Sequence, residues 1–308
     1  MFGMLGRCRK LSTILLLGAG ASHGSGDCIP YAPPLGSQLF ERLRAQGGIA
    51  STIHGDLRTI FEKDFEEGMA EFRRRRDVDS TAFLREIARY FVQFAPGRRN
   101  LYRDLVAAVL PRRQSVAIAT TNYDLLIELA ASEAGDAVSY TLPPVPPNNT
   151  SLLKIHGSCH FLPDPPAVLR GVTFSGARAN VEGPVRVARS VAEVIAFCDS
   201  QDSLAPAIAL YAPGKDVLFS PSFVLAQQEA WVKAVSEATL IYTVGLRVLP
   251  SDAHIWGVLG STTAEIRYAG FEPKEFVAWA EAAGHRNAHA VARTFEETLP
   301  LICQTLNA

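Results

Sequence analysis

The sequence predicts an α/β protein built on a mostly parallel sheet, with a helical insertion and a second, loop-rich insertion. Three observations favour this fold. Short apolar runs, typical of strands buried on both faces, occur at 14–17, 116–119, 152–155 and 239–246. Segments with helical patterns separate these runs, as in sheets whose parallel strands are joined by helices. Each run also ends abruptly in glycine or polar residues, which places chemistry-bearing side chains at strand ends.

The first unit is a strand followed by a glycine loop, Gly18-Ala19-Gly20-Ala21-Ser22. Glycines after a buried strand let backbone N–H groups approach a pyrophosphate without clashes from Cβ atoms. The same loop also suits a tight strand-to-helix connection, and it lacks the GK[ST] of a P-loop. We expect a helix to follow within 34–46.

The N-terminus superficially matches a secretory signal, because Arg7, Arg9 and Lys10 precede an apolar run and a small-residue step. That run is short before glycine interrupts it. The five cysteines are scattered and form no CxxC pair, which fits a reducing compartment. We therefore interpret 13–17 as a strand and expect a cytoplasmic protein without a membrane span. The formal net charge of −1 does not indicate nucleic-acid binding.

Residues 37–113 follow amphipathic helical patterns, clearest at 56–76 and 81–94. The basic run FRRRRD at 72–77 is interpreted as a solvated helix face, the usual role of such runs. The segment 101–110 then leads back into the sheet. We therefore expect a helical insertion between two strands.

The strand at 116–119 ends in Thr120, Thr121, Asn122, Tyr123 and Asp124. Asparagine and aspartate at such a position cap helices by accepting bonds from backbone N–H groups. They equally suit a ligand site, because open α/β sheets bind ligands beyond the carboxyl ends of their strands. The segment by itself allows both interpretations.

Two later strands also end in polar residues. The run at 152–155 meets His156 and Gly157, and the run at 239–246 is followed by Arg247 and Asp252. A lone histidine at a strand end is more often a packing residue than a catalyst. Several strands that end in polar residues within one chain favour a ligand-binding site.

The remaining segments are assigned by composition and periodicity. Residues 162–222 are rich in proline and glycine and are interpreted as the loop-rich insertion. A helix is expected at 223–238, and the chain is expected to close with helices, the last kinked or restarted at Pro300.

Four segments, GAGAS, TTNYD, KIHGS and VGLRVLPSD, occur in this order at predicted strand ends. Together they resemble the motifs of the sirtuin family and its relatives, which bind NAD+ on a Rossmann-type sheet and break the nicotinamide–ribose bond. Thr121 stands where sirtuins have glutamine, Tyr123 where they usually have isoleucine, and Arg247 at a serine place. The CxxC…CxxC zinc module of the deacylases is missing. These departures resemble the bacterial sirtuin-like branch that hydrolyses NAD+ in anti-phage defence, often beside partner proteins.

The resemblance implies a single sirtuin-like domain over 1–308 with a Rossmann-like core. The core would comprise about 11–36, 101–160 and 215–308, with the helical insertion at about 37–100 and the loop-rich insertion at about 161–214.

It also implies roles for residues. Asn122 and His156 would be catalytic: Asn122 would hold the ribose hydroxyls and the attacking water, and His156 would act as general base. Asp124 would bind the carboxamide of nicotinamide, and the backbone at 18–20 would take the pyrophosphate. The implied NAD+-binding residues are Gly18, Ala19, Gly20, Ser22, Thr120, Asp124, Gly157, Gly245, Arg247 and Asp252, of which Gly245 and Asp252 would lie near the adenosine half. No metal is expected.

The implied activity is hydrolysis of NAD+ to nicotinamide and ADP-ribose by a defence effector that acts as a homo-oligomer, with a partner protein, or both. A protein deacylase would share Asn122 and His156 but would need a zinc-bearing lobe. A non-catalytic sensor of NAD+ or ADP-ribose is a third interpretation. Oxidoreduction with NAD(H) is disfavoured, because no clear acid at the end of a second strand is available for the adenine ribose.

Overall fold

The computed structural model describes residues 11–75, 80–164, 181–200, 204–209, 217–250 and 252–308. The strands are β1 (Thr13–Leu17), β2 (Gly26–Ile29), β3 (Ala95–Asn100), β4 (Val116–Thr120), β5 (Ala137–Ser139), β6 (Asn149–Lys154), β7 (Phe161–Pro163), β8 (Val185–Val187), β9 (Leu240–Val244), β10 (Glu265–Ala269) and β11 (Ala288–Ala292).

The helices are α1 (Ala19–His23), α2 (Gly36–Ala45), α3 (Ile49–Thr52), α4 (Gly55–Lys63), α5 (Phe65–Arg74), α6 (Ser80–Val92), α7 (Leu101–Val109), α8 (Leu126–Glu133), α9 (Val191–Asp199), α10 (Pro221–Glu237), α11 (Val258–Gly260), α12 (Pro273–Ala282) and α13 (Phe295–Asn307). A 3-10 helix spans Leu110–Arg112 and a π-helix spans Ala253–Gly257.

The central sheet has seven strands in the order β11-β10-β9-β1-β4-β6-β5, and every neighbouring pair is parallel. The predicted α/β, Rossmann-like architecture is therefore confirmed. From β1 the chain builds one half of the sheet through β4 and β6, then crosses to the other side of β1 to form β9. This reversal is a topological switch point, where open α/β sheets bind their ligands.

Apolar side chains of the central strands are buried on both faces of the sheet. Leu15, Leu17 and Ile118 pack into one core with α7, α8 and α13. Ile14 and Leu16 pack into the other core with residues of α10 and α12. Burial on both faces explains why these strands are continuous apolar runs in sequence rather than alternating ones.

The predicted helical region is observed as α2 to α6, but β3 interrupts the expected helical stretch 37–113. Phe40 and Phe61 stack with ring centroids 4.5 Å apart at the centre of this region, and Phe83 packs edge-on against Phe61. Strand β3 pairs with β2 in a small antiparallel sheet. Its sequence, APGRRN, has no apolar alternation, so only this tertiary pairing defines it as a strand.

The described part of the arginine run lies at the end of α5. Arg75 pairs with Asp56 at 2.7 Å, and Arg74 pairs with Glu71 at 2.9 Å. These partly exposed ion pairs fit the interpretation of a solvated helix face. Residues 76–77 of the run lie outside the described residues.

The C-terminal part differs from the prediction of helices alone, because β10 and β11 extend the sheet beyond β9. Both are short, and β11 is an edge strand with two of its five residues exposed and none buried, so its sequence pattern is weak. Helix α13 runs through Pro300 without restarting. Proline lies in the second turn, where it removes one bond only, and the Thr294–Glu297 capping box fixes the helix start.

The loop-rich insertion is described in part, as the β7–β8 pair and α9. Residues 165–180 and 210–216 lie outside the described residues, and the division of the chain into core and insertions stays a prediction. Over the residues that the structure describes, no helix has both the length and the apolar composition that crossing a membrane requires.

Candidate functional site at the carboxyl edge of the sheet

Four adjacent strands end at one level of the sheet. Leu17 of β1 lies opposite Thr120 of β4 and Val244 of β9, and Thr120 lies opposite Lys154 of β6. Neighbouring strands are roughly 4.8 Å apart. The segments that follow these strands, which contain the four predicted motifs, therefore begin side by side at the switch point.

The glycine loop after β1 packs directly against the loop after β9. Gly18 N–H donates to Val244 O and Gly20 N–H donates to Gly245 O, each at 2.9 Å. A Cβ atom on Gly18 would lie 2.7 Å from Gly245 O, and one on Gly20 would lie 2.9 Å from Gly245 Cα. These glycines thus permit contact between two backbones. Ala19 is the exposed residue of the loop, and binding of a pyrophosphate here stays a prediction.

Substituting Gly245 with alanine is expected to destabilise the fold by roughly 2–5 kcal/mol. Gly245 has φ +67°, and its added Cβ would lie 2.1 Å from Ala21 N, so strain and overlap add. Urea unfolding of both proteins measures the difference. Gly36→Ala is the control, because a Cβ there meets no atom within 4 Å in the described structure. Equal midpoints for Gly245→Ala and the unsubstituted protein would contradict the packing argument.

Asn122 is held by the glycine loop and by the last residue of β4. Its Nδ2 donates to Gly18 O and to Ser22 Oγ, each at 2.8 Å, and its backbone N–H donates to Thr120 Oγ1. A carbonyl oxygen only accepts, so the NH₂ group must face Gly18. With both amide hydrogens committed, Asn122 can bind a further hydroxyl or water only by accepting at Oδ1.

Thr120 and Ser22 serve as supports for Asn122. Thr120 Oγ1 donates to Leu17 O at 2.8 Å and so ties the end of β4 to the end of β1. Ser22 Oγ lies 3.0 Å from the hydroxyl of buried Tyr102. Both side chains are buried. Their contact with NAD+ stays a prediction.

Asp124 makes the helix-start contact that the sequence allowed. Its Oδ1 accepts from Leu126 N at 3.2 Å, at the beginning of α8, and the residue is buried. Asp124 therefore bonds the first N–H of α8, although Leu125 holds the N-cap position and its side chain makes no capping bond. Because this bond occupies one carboxylate oxygen, the second can still accept a bond from a carboxamide, and the ligand role stays a prediction.

His156 lies beside a second histidine that the sequence analysis missed. His156 Nε2 is 2.8 Å from His254 Nε2, and His254 Nδ1 is 2.6 Å from Asp252 Oδ1. His156 is 4% exposed. Asp252, predicted near the adenosine half, is thus placed next to the catalytic candidate. The Asp-x-His spacing was the available signal, but it indicates no contact with a histidine 98 residues earlier.

Gly157 and Arg247 occupy different surroundings. Gly157 has φ +76°, and its added Cβ would lie 2.0 Å from Ala207 O. This close approach seats the segment 204–209 on the site, where Ala209 N–H donates to His156 O at 2.9 Å. The side chain of Arg247 is 66% exposed, with its Nε 3.6 Å from Glu272 Oε1.

A buried polar network lies behind the site. Lys154 Nζ donates to Asp124 O at 2.6 Å and lies 3.3 Å from Glu128 Oε1. Burial raises the pKa of Glu128, and the charge of Lys154 opposes that rise. Tyr140 OH links Glu128 Oε1, at 3.4 Å, to His160 Nε2, at 2.7 Å.

His160 is expected to make stability depend on pH below about 6.5. Burial, reinforced by the charge of Lys154, holds the pKa of His160 well below its usual range. The unfolded chain takes up a proton there that the folded chain refuses, so stability falls by about 1.4 kcal/mol per pH unit as pH drops through this window.

Urea midpoints at pH 7.5, 6.5 and 5.5 measure this slope in the unsubstituted protein and in His160→Gln. The substitution is expected to flatten it. The control is exposed His289→Gln, which keeps the slope. A slope unchanged by His160→Gln would show that another group controls acid stability.

Residues 116–177 match the SIR2-like domain family. None of the curated proteins compared with the chain matches it. Among solved structures, a mutant Sir2 homologue in complex with ADP-ribose is 15% identical, with a TM-score of 0.50 over 97% of this chain and 92% of that chain. A Sir2 homologue in complex with NAD is 16% identical, with a TM-score of 0.47 over 97% and 90%.

The matched segment contains both Asn122 and His156, and the sheet has the topology described above. At this identity, the likeness to the ADP-ribose complex supports the fold alone. The chain therefore has a Sir2-like fold, and its segment 116–177 resembles the SIR2-like domain family.

Proposed function

We propose that the chain is an NAD+ glycohydrolase, which cleaves the nicotinamide–ribose bond to give nicotinamide and ADP-ribose. The observation that carries the proposal is the placement of Asn122 and His156 after two neighbouring strands, at the switch point of a parallel sheet. The similarly folded Sir2 homologue in complex with ADP-ribose supports this choice of substrate.

The chemistry of the bond fits these two side chains. Cleavage develops positive charge on the ribose, so a catalyst must position the sugar and activate a water. Asn122 Oδ1 would accept from a ribose hydroxyl or from that water, since its amide hydrogens are committed. His156 would remove a proton, since imidazole is the side chain that most often serves as a general base.

The residues proposed to hold NAD+ lie at or after the ends of β1, β4, β6 and β9, which reach the same edge of the sheet. Asp124 would bind the carboxamide of nicotinamide. The remaining proposed contacts are Gly18, Ala19, Gly20, Ser22, Thr120, Gly157, Gly245, Arg247 and Asp252. No metal is assigned to the reaction.

The test is to incubate the purified protein with NAD+ and to separate the products by chromatography. We expect nicotinamide and ADP-ribose in equimolar amounts. No turnover at any NAD+ concentration, with cell extract from phage-infected bacteria added as a trigger, would refute the proposal.

A deacylase is the second candidate, because it would use the same Asn122 and His156. The lack of any CxxC pair in the sequence favours the hydrolase. An acylated peptide that accelerates nicotinamide release and is itself deacylated would reverse this preference. A sensor would instead bind NAD+ or ADP-ribose without breakdown and with unchanged affinity in His156→Ala.

We further propose that the activity serves defence by depleting NAD+ in the cytoplasm, and that a homo-oligomer or partner protein restrains it. The reason is toxicity, since unrestrained hydrolysis would starve the cell of NAD+. Cellular NAD+ is expected to fall after phage infection in cells that express the protein. A purified monomer with full constitutive activity would contradict the restraint.

A further inference from the structure

We propose that His254 and Asp252 form the proton exit of the site, carrying to solvent the proton that His156 takes from the attacking water. This inference rests on the proposed function and adds two positioning residues to it. It also reassigns Asp252 from the adenosine half of NAD+ to the side of the reacting bond.

The hydrogen-bond directions follow from Asp252. His254 Nδ1 lies 2.6 Å from Asp252 Oδ1, an ion-pair distance, and a carboxylate this close favours a hydrogen on that ring nitrogen. In neutral His254 this makes Nε2 the acceptor. His156 Nε2, 2.8 Å away, must then be the donor. Neutral His156 with its hydrogen on Nε2 has its basic lone pair on Nδ1, so Asp252 determines which nitrogen of His156 can act as base.

His254 and Asp252 are both more exposed than His156. His156 is 4% exposed, whereas the side chains of His254 and Asp252 are 26% and 16% exposed. A proton accepted by buried His156 therefore moves toward water when it passes to His254. The Asp252 carboxylate stabilises the positive charge that His254 then carries.

The proton balance closes over one turnover. As the bond from ribose C1′ to nicotinamide nitrogen breaks with its electron pair, nicotinamide leaves as a neutral molecule. A water oxygen bonds to C1′ and loses a proton to His156 Nδ1. His156 Nε2–H passes to His254 Nε2, which leaves His156 neutral. The imidazolium of His254 then releases one proton to solvent. His156 is left with its hydrogen on Nδ1, so after the products leave, exchange with solvent through both rings must return this hydrogen to Nε2 without net proton transfer. The sum is that NAD+ and water give nicotinamide, ADP-ribose and H+.

The backbone holds His254 in place for this transfer. The indole of Trp231, on α10, donates from Nε1 to His254 O at 2.9 Å, and Trp231 is buried. Asp252 O accepts from Trp256 N at 2.8 Å at the start of the π-helix Ala253–Gly257. The imidazole rings of His156 and His254 lie with their centroids 5.1 Å apart. Trp231 of α10 thus fixes the backbone of His254, and Trp256 of the π-helix fixes that of Asp252.

The first experiment measures NAD+ turnover by His254→Ala and Asp252→Asn. Each substitution is expected to lower kcat by ~10- to 100-fold, the usual effect of removing a partner that orients a functional histidine, with KM nearly unchanged. Added imidazole is expected to restore a substantial part of the activity of His254→Ala, because it replaces the missing proton acceptor. Exposed His289→Ala is the matched control, with full activity and no response to imidazole. Full kcat in His254→Ala would overturn the inference.

The second experiment needs no turnover, so it separates failure of the inference from failure of the proposed function. The ¹⁵N NMR shifts of the His156 ring report which nitrogen carries hydrogen. We expect the Nε2–H form in the unsubstituted protein, lost or mixed in His254→Ala. A His156 ring with hydrogen on Nδ1 would overturn the relay even if NAD+ is hydrolysed. Activity that chelator removes and Zn²⁺ restores would also overturn it, by making the three side chains a metal site.

Discussion

Asn122→Ala is expected to release nicotinamide about 10²-fold more slowly than the unsubstituted protein, or slower still. Alanine removes the Oδ1 acceptor proposed to hold the ribose hydroxyl and the water. It also removes the two bonds from Nδ2 that fix the glycine loop through Gly18 and Ser22. The expected loss is in kcat. Product chromatography under saturating NAD+ measures it.

Two controls separate chemistry from folding in this experiment. Thermal unfolding of Asn122→Ala shows whether the fold is retained. NAD+ binding to the same variant shows whether the proposed NAD+ site is retained. Asn287→Ala changes the same residue type at an exposed position before β11 and is expected to keep full activity. A folded Asn122→Ala with normal turnover would leave Asn122 with only a structural role.

Lys154→Met is expected to destabilise the fold by about 3–5 kcal/mol. Lys154 is 1% exposed, and its ammonium group is the cationic partner of Glu128 at 3.3 Å. Methionine leaves this carboxylate without that partner and removes the bond to Asp124 O. The free energy of unfolding from urea titration is the measurement.

The double variant Lys154→Met/Glu128→Leu tests the reason for this loss. Removing both charges is expected to recover much of the stability, because no charge is then buried without its partner. Exposed Lys274→Met is the matched control and is expected to change stability by less than about 0.5 kcal/mol. A double variant as unstable as Lys154→Met would assign the loss to packing instead.

Much of the central sheet could be predicted, because β1, β4, β6 and β9 are buried on both faces and therefore appear as apolar runs. Their polar ends were visible for the same reason, since each run stops at the sheet edge. The strands β10 and β11 were not predicted. They are short and lie toward one side of the sheet, where partial exposure weakens the pattern.

The site was predictable where chemistry follows a strand end directly, as at Asn122 and His156. His254 was not, because it belongs to a segment after β9 and meets His156 only once the chain has folded. The contact of Gly18 and Gly20 with the loop after β9 could not be predicted from sequence either. Sequence suggested clearance for a phosphate, which stays a prediction, and the structure adds that the two glycines make room for the backbone of Gly245.

The position of β1 between β4 and β9 has a consequence for protein synthesis. Strand β1 leaves the ribosome first, yet one of its two neighbours, β9, is among the last parts of the sheet to be made. Until β9 emerges, a nascent chain already contains Asn122 and His156 but has neither the loop that packs on Gly20 nor His254. If the chain is an enzyme of the proposed kind, we expect unfinished chains, which lack these contacts, not to consume NAD+.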